Sequence, residues 1–167
     1  LLLLTGEHVM EQAFRSVEWP TIFFFVGLFV LVGGLVETGI ITRVAEEVMR
    51  LTGGDPLTTS MLILWLSALA SAFIDNIPLV ATMIPMIQDM GGMGIQNLEP
   101  LWWSLALGAC LGGNGTLIGA SANLIAAGMS AKEGEPISFL KYMKYGLPLM
   151  ILTILISSLY VYLRYFM

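Results

Sequence analysis

Charge is what this sequence lacks most. Only 11% of its 167 residues are charged, against about 25% in ordinary soluble domains. Hydrophobic residues reach 57% and mean hydropathy is +0.85, more apolar surface than a soluble fold of this size can hide from water. The composition is that of an integral membrane protein. Basic residues are especially few. Seven Lys and Arg against twelve Asp and Glu give net charge −5 without a basic cluster, which argues against a nucleic-acid partner. Cys110 is the single cysteine, so no internal disulfide forms and redox compartment is unreadable. The single histidine, His8, sits in a polar lead-in with Glu7 and Glu11 and reads as a surface residue. There is no metal-ligand cluster, no nucleophile–base pair and no second intramembrane aspartate for a protease dyad, so no enzyme is expected. The chain opens on Leu1-Leu2-Leu3-Leu4 without Met or a signal-peptide n-region. That opening reads as the tail of an earlier helix, and the chain as a fragment.

What is present is a set of charge-free runs: residues 19–36, 56–74, 76–88, 100–131 and 145–163, of 18, 19, 13, 32 and 19 residues. Crossing a hydrocarbon core of roughly 30 Å takes about 20 apolar residues in a helix. The first, second and last runs fit. The 13-residue run is too short and follows the run before it after a single charge, Asp75, with Pro78 close behind. Pro78 suits the first turn of a new helix, and Asp75 and Asn76 are good N-caps. A re-entrant helical hairpin over 56–90, broken at Asp75-Asn76-Ile77-Pro78, is therefore preferred to one long kinked helix.

The run 100–131 is too long for one crossing and too short for two. Its middle reads Gly112-Gly113-Asn114-Gly115-Thr116-Leu117-Ile118-Gly119-Ala120-Ser121-Ala122-Asn123, poor material for a continuous helix. The reading is a discontinuous transmembrane helix with arms near 101–111 and 117–130. Unwound backbone at membrane depth survives only where protein or water satisfies it, and such interruptions mark the binding sites of secondary transporters. Gly108-xxx-Gly112 and Gly115-xxx-Gly119 match the small-residue packing motif, one that glycine-rich membrane segments often produce. Gly113-Asn114-Gly115 is not a dinucleotide fingerprint, since no strand precedes it.

Connecting stretches are amphipathic. Residues 38–51 place Ile40, Ile41, Val44, Val48 and Leu51 on one face and Arg43, Glu46, Glu47 and Arg50 on another, as in an interfacial helix. Residues 139–145, with Lys141 and Lys144, predict a shorter one. If the hairpin returns to its own side, Arg15, Lys132, Lys141 and Lys144 share a face opposite Arg43, Arg50 and Arg164, which makes the first face weakly cytoplasmic. Met83, Met86, Met90 and Met93 read as packing or lipid-facing side chains rather than a metal site.

Asp75 is the acidic residue with long apolar sequence on both sides, and an intramembrane carboxylate is a functional-site hypothesis by default. Asn76, Asn114, Thr116, Ser121 and Asn123 add oxygens that suit a hard cation such as sodium, and amide donors that suit an anion. Gly113 and Gly115 permit close backbone approach. Helix N-termini near Pro78 and Thr116 would aim positive dipole ends at the same point.

At these residues the sequence resembles the ion transporter superfamily, in the branch that holds arsenite permeases, the melanosomal P protein and NhaD-type sodium/proton antiporters. The resemblance lies in Ser67-Ala-Leu-Ala70-Ser71-Ala-Phe73-Ile-Asp75-Asn76-Ile-Pro78-Leu-Val-Ala-Thr82-Met-Ile-Pro85, which resembles that family's hairpin. It lies also in the stretch from Leu107 to Asn123, which is similar to its broken helix. It covers the chain from Val17 onward and matches the C-terminal repeat. The resemblance implies two inverted repeats whose tips meet at the substrate site, moving elevator-like against a dimerising scaffold. Related carboxylate carriers read Ser-Asn-Thr at the hairpin tip and Thr-Pro-Pro-Asn at the broken helix. Here Asp75-Asn76-Ile77 and Ala120-Ser121-Ala122-Asn123 stand instead, which argues against a di- or tricarboxylate and for cation or proton coupling.

The expectation is thus an all-α polytopic membrane protein, one inverted-repeat half. Its parts are a lead-in (1–18), a scaffold transmembrane helix with an interfacial helix (19–51), the hairpin (56–90), the discontinuous helix (100–131), and an interfacial helix with the last span (136–167). The expected function is secondary active transport of an inorganic ion, sodium- or proton-coupled, with Asp75, Asn76 and Asn114 as sodium ligands and no other cofactor. The alternatives are an arsenite or other anion permease and a non-transporting assembly subunit. Expected partners are the bilayer, a missing N-terminal repeat or a second copy, and a homodimer, in the plasma membrane of a prokaryote.

Overall fold

The computed structural model describes Arg15 and residues 17–167. The opening leucines, His8 and nearly all of the expected lead-in lie outside the described residues. Seven α-helices and no strand occur among those described: α1 (Trp19–Glu37), α2 (Ile40–Thr52), α3 (Pro56–Ser71), α4 (Asn76–Gly92), α5 (Glu99–Gly112), α6 (Ser121–Lys132) and α7 (Phe139–Tyr165). The chain divides into two units, Leu1–Gly34 and Leu35–Met167.

The first unit holds most of α1. Phe23, Val30 and Leu31 are about two-thirds exposed, and Phe25 stacks on Phe29 with ring centroids 6.4 Å apart. A helix so apolar on its outside suits lipid rather than water. Among the described residues, α1 and α7 are long and apolar enough to cross a membrane. The helices α3, α4 and α5 have 16, 17 and 14 residues. At about 1.5 Å per residue they reach only some 21–26 Å.

In the second unit, α3 and α5 form the central pair. A Cβ on Gly108 would overlap the Ser67 hydroxyl and the Leu64 carbonyl, and one on Gly112 would overlap the backbone of Ala68. Glycine is therefore what lets the two helix backbones touch. On one side, α2 and α4 pack with them around Ile41, Ala45, Ile63, Met83, Ile87 and Leu105. On the other, α7 adds Met150 and Ile154 to Leu64, Ala68 and Ala72. Met83, Met86 and Met90 are buried packing residues. Trp65 Nε1 donates to Ser158 Oγ at 3.2 Å, and Tyr165 donates to Glu99 at 3.1 Å, fixing the end of α7 beside the start of α5.

Helix α2 differs from its expected face. Ile41, Ala45, Val48 and Thr52 are buried, whereas Ile40, Val44 and Leu51 are exposed. Small Ala45 lets this row sit close against its neighbours, which leaves the bulkier row outside. Two bonds tie α2 to its neighbours. Thr42 Oγ1 donates to Asp89 Oδ2 at 2.7 Å, near the end of α4. Thr59 Oγ1 donates to Thr52 Oγ1 at 2.8 Å, near the start of α3. The amide and hydroxyl of Thr58 donate to Asp55 at 2.8 and 2.6 Å, capping α3 and holding the Asp55 carboxyl below its ordinary range. The cap's contribution is therefore present at neutral pH and lost as acid protonates Asp55.

Residues 139–145 do not form a separate helix. They are the first turns of the 27-residue α7, capped by Ser138 and continuous through Pro148. Among the described residues no other helix packs along α6, and none of its residues is buried.

Candidate functional site

Helix α3 ends at Ser71 and α4 begins at Asn76, while α5 ends at Gly112 and α6 begins at Ser121. These two interruptions meet. The hydroxyl of Thr116, fully buried, donates to the carbonyl of Ala72. Ser71 Oγ contacts both Asn76 Oδ1 and the carbonyl of Ala109, the latter at 2.6 Å. A hydroxyl has one hydrogen, so Ser71 donates to one of these two oxygens at a time.

Asp75 caps α4, with Oδ1 accepting from the amide of Ile77 at 3.1 Å. Its Oδ2 accepts from Ser121 Oγ at 3.4 Å, at the first residue of α6, whose own cap position, Ala120, offers no side-chain acceptor. Two helix N-termini thus face one carboxylate, and each complements negative charge.

A close backbone approach sits a few residues away. A Cβ built on Gly119 would lie 2.6 Å from the carbonyl oxygen of Gly113 and 2.9 Å from those of Ala72 and Ser71. The backbone at Gly119 therefore packs directly against the C-terminal ends of α3 and α5, and the Ala72 and Gly113 carbonyls accept hydrogen bonds from Thr116 and Asn123. Gly119 is required there, since a methyl group would meet backbone on three sides.

Asn123 Nδ2 donates to the carbonyls of Gly113 (2.9 Å) and Thr116 (3.0 Å), so α6 is tied to the break by a side chain rather than by packing. Asn123→Ala is expected to cost about 1–3 kcal/mol by leaving carbonyls unpaired. Thermal unfolding of the purified protein would register it as a lower Tm.

Six of the eight residues singled out in the sequence come together here: Asp75, Asn76, Gly113, Thr116, Ser121 and Asn123. Gly115 packs between α7 and the end of α3, where its Cβ would lie 2.6 Å from Met150 Sδ and 3.3 Å from the Ala72 Cβ. Asn114 is exposed and lines a half-open groove of about 650 Å³ with Glu135, Lys141, Tyr142, Tyr145 and Leu149. Sequence reasoning missed Ser71 and Gly119 as site residues and missed this groove. Ser71 carries a weak signal, since Ser60, Ser67 and Ser71 fall on one face of α3 at helical spacing. The groove carries none, because its walls come from segments whose residues look like ordinary interface.

A model of the citrate transporter family matches residues 1–108. The chain belongs to that family. The matched stretch includes the α3–α4 interruption, and similarity to single relatives extends through the α5–α6 one. An uncharacterized transporter of Mycobacterium tuberculosis (strain H37Rv) is 42% identical over 99% of this chain and 39% of its own length. The 46 kDa membrane protein of Mycobacterium leprae is 43% identical with the same coverage. The P protein of Homo sapiens is 41% identical over 96% of this chain and 20% of its own length. The chain thus spans about two-fifths of these mycobacterial proteins. Membership of a transporter family implies an integral membrane protein, and the resemblance to the P protein branch is borne out.

Proposed function

We propose that the chain is one repeat of a secondary active transporter for an inorganic ion, coupled to sodium or protons. The observation that carries this is the meeting of the two helix interruptions, where Thr116 bonds the Ala72 carbonyl and Ser121 bonds the Asp75 carboxylate. In this reading Asp75, Asn76 and Asn114 hold a sodium ion or the transported species, and Asp75 exchanges sodium for a proton or supplies its countercharge.

The reading makes 56–90 a re-entrant hairpin and 100–131 a discontinuous transmembrane helix. It is supported by the lengths of α3, α4 and α5, and by α2, which bonds near the start of α3 and the end of α4. Those contacts suit two arms that return to one membrane face. An inverted repeat or a second copy completes the site, in a homodimer, and the bacterial relatives favour a prokaryotic plasma membrane. An anion permease is the second reading, favoured by the two helix N-termini at Asp75.

Sodium binding has a direct test. In detergent, replacing choline chloride with 100 mM sodium chloride is expected to raise the Tm of the intact protein by a few degrees, from roughly 2 kcal/mol of linkage. Asp75→Asn, which keeps the fold, removes the response. Equal Tm in both salts would reject the sodium site.

A further inference from the structure

Hydroxyl side chains inside these helices commonly bond back along their own helix. Those of Ser60, Ser67, Ser157 and Ser158 each donate to the carbonyl four residues earlier, at 2.7, 2.6, 2.9 and 2.8 Å. Ser71, fully buried in the last turn of α3, reaches across instead. Its Oγ meets the Ala109 carbonyl on α5 at 2.6 Å and Oδ1 of Asn76 at the start of α4. One hydroxyl thus joins three helix ends. The Ala109 carbonyl needs that partner. In a continued helix the Gly113 amide would donate to it, but that amide turns to Leu111, so the carbonyl is one of the end groups a helix leaves unpaired. Ser71 supplies what the backbone does not.

Asn76 depends on the same hydroxyl. It is half-buried, and a Cβ on Gly113 would lie 3.3 Å from its Oδ1, so Ser71 and the end of α5 close in the inner edge of its carboxamide. There Ser71 meets two oxygens with one hydrogen, and one of the two contacts is left without a bond. Turning the carboxamide through half a turn removes the conflict. Nδ2 then donates to Ser71 Oγ, Ser71 donates to Ala109, and Oδ1 takes the outer position that Nδ2 held. All three inner groups are paired in that arrangement, and the oxygen left over is the kind of ligand a hard cation takes.

We infer that Ser71 is the positioning residue for Asn76: when a cation binds, Ser71 accepts from Nδ2, passes its own hydrogen to Ala109, and fixes Oδ1 as a ligand without touching the cation itself. The inference rests on Asn76 belonging to the proposed ion site, and adds the group that sets its orientation. A hydrogen bond on the far side of a ligand fixes its geometry, and losing one typically weakens metal binding by about 10- to 100-fold.

Two readouts on the intact protein in detergent test it. Ser67→Ala is the control, since Ser67 lies one turn earlier, is buried just as fully and bonds within α3. In choline chloride, the losses of Tm from Ser71→Ala and Asn76→Ala are expected to be non-additive, with the double variant close to the worse single one. Those from Ser67→Ala and Asn76→Ala add. When Tm is followed against sodium chloride, Ser71→Ala raises the half-saturating concentration about tenfold, and Ser67→Ala leaves it unchanged. Ser71→Cys, a weaker donor and acceptor, gives a smaller shift in the same direction and stands in for Ser71→Ala if that protein is poorly folded. Additive losses at 71 and 76 overturn the link between them. A wild-type midpoint kept in Ser71→Ala, or an equal shift in Ser67→Ala, overturns the positioning role and leaves the ion site standing. A wild type without any sodium response rejects the ion site, and the role of Ser71 with it.

Discussion

Gly112→Ala is expected to abolish the folded state or lower stability by about 3 kcal/mol or more, the upper end of overpacking effects. The added methyl would sit against the carbonyl oxygen, Cα and carbonyl carbon of Ala68. Backbone atoms inside a helix cannot swing aside as a side-chain tip can, so α3 and α5 must separate. That separation would pull Ser71 from Ala109 and Ala72 from Thr116, and the two interruptions would no longer meet. Gly128→Ala is the control. Nothing lies within 4 Å of its Cβ position in α6, so the change is neutral or stabilising by up to about 1 kcal/mol. Thermal unfolding and monodispersity in detergent distinguish the two variants. A stable, monodisperse Gly112→Ala protein would mean that the α3–α5 contact is looser than described.

Asp75→Asn is expected to reduce coupled flux on the order of 100-fold while leaving the protein folded. Asparagine keeps an oxygen for the Ile77 amide and presents its NH2 group to the Ser121 hydroxyl, and it is an N-cap as good as aspartate. What it removes is the charge, worth some 3 kcal/mol against a nearby ion at an effective dielectric of about 20. Asp75→Ala removes the cap as well and should cost stability. Flux and Tm measured on both variants separate the roles. If Asp75→Asn transports normally, the carboxylate is a helix cap and nothing more.

Both interruptions are legible in the sequence because each breaks a rule that apolar helices otherwise keep. A charge followed by proline ends one run, and glycines around Asn114 end another. Their meeting is legible only through the resemblance. Contacts such as Thr116 to Ala72 join residues 44 apart, and no local pattern encodes them. The second arm begins at Ser121 rather than near Leu117 because the intervening residues are held by that bond and by the close approach at Gly119, after which Ala120 is extended. The packing of Gly108 and Gly112 illustrates the opposite limit. The motif is visible, but a sequence cannot say which of many such matches faces a partner. For α2 the period is legible and the face is not, because Ala45 and Thr52 bury more fully than their hydropathy suggests.

The proposed sodium or proton site lies where the α3–α4 interruption meets the α5–α6 one. Its most direct measurement uses the intact protein in liposomes with an imposed pH gradient and an internal pH dye, to which sodium is added. Sodium is expected to dissipate the gradient, and Asp75→Asn to abolish the response. A gradient unmoved by sodium in the wild type, or a full response without Asp75, would contradict it.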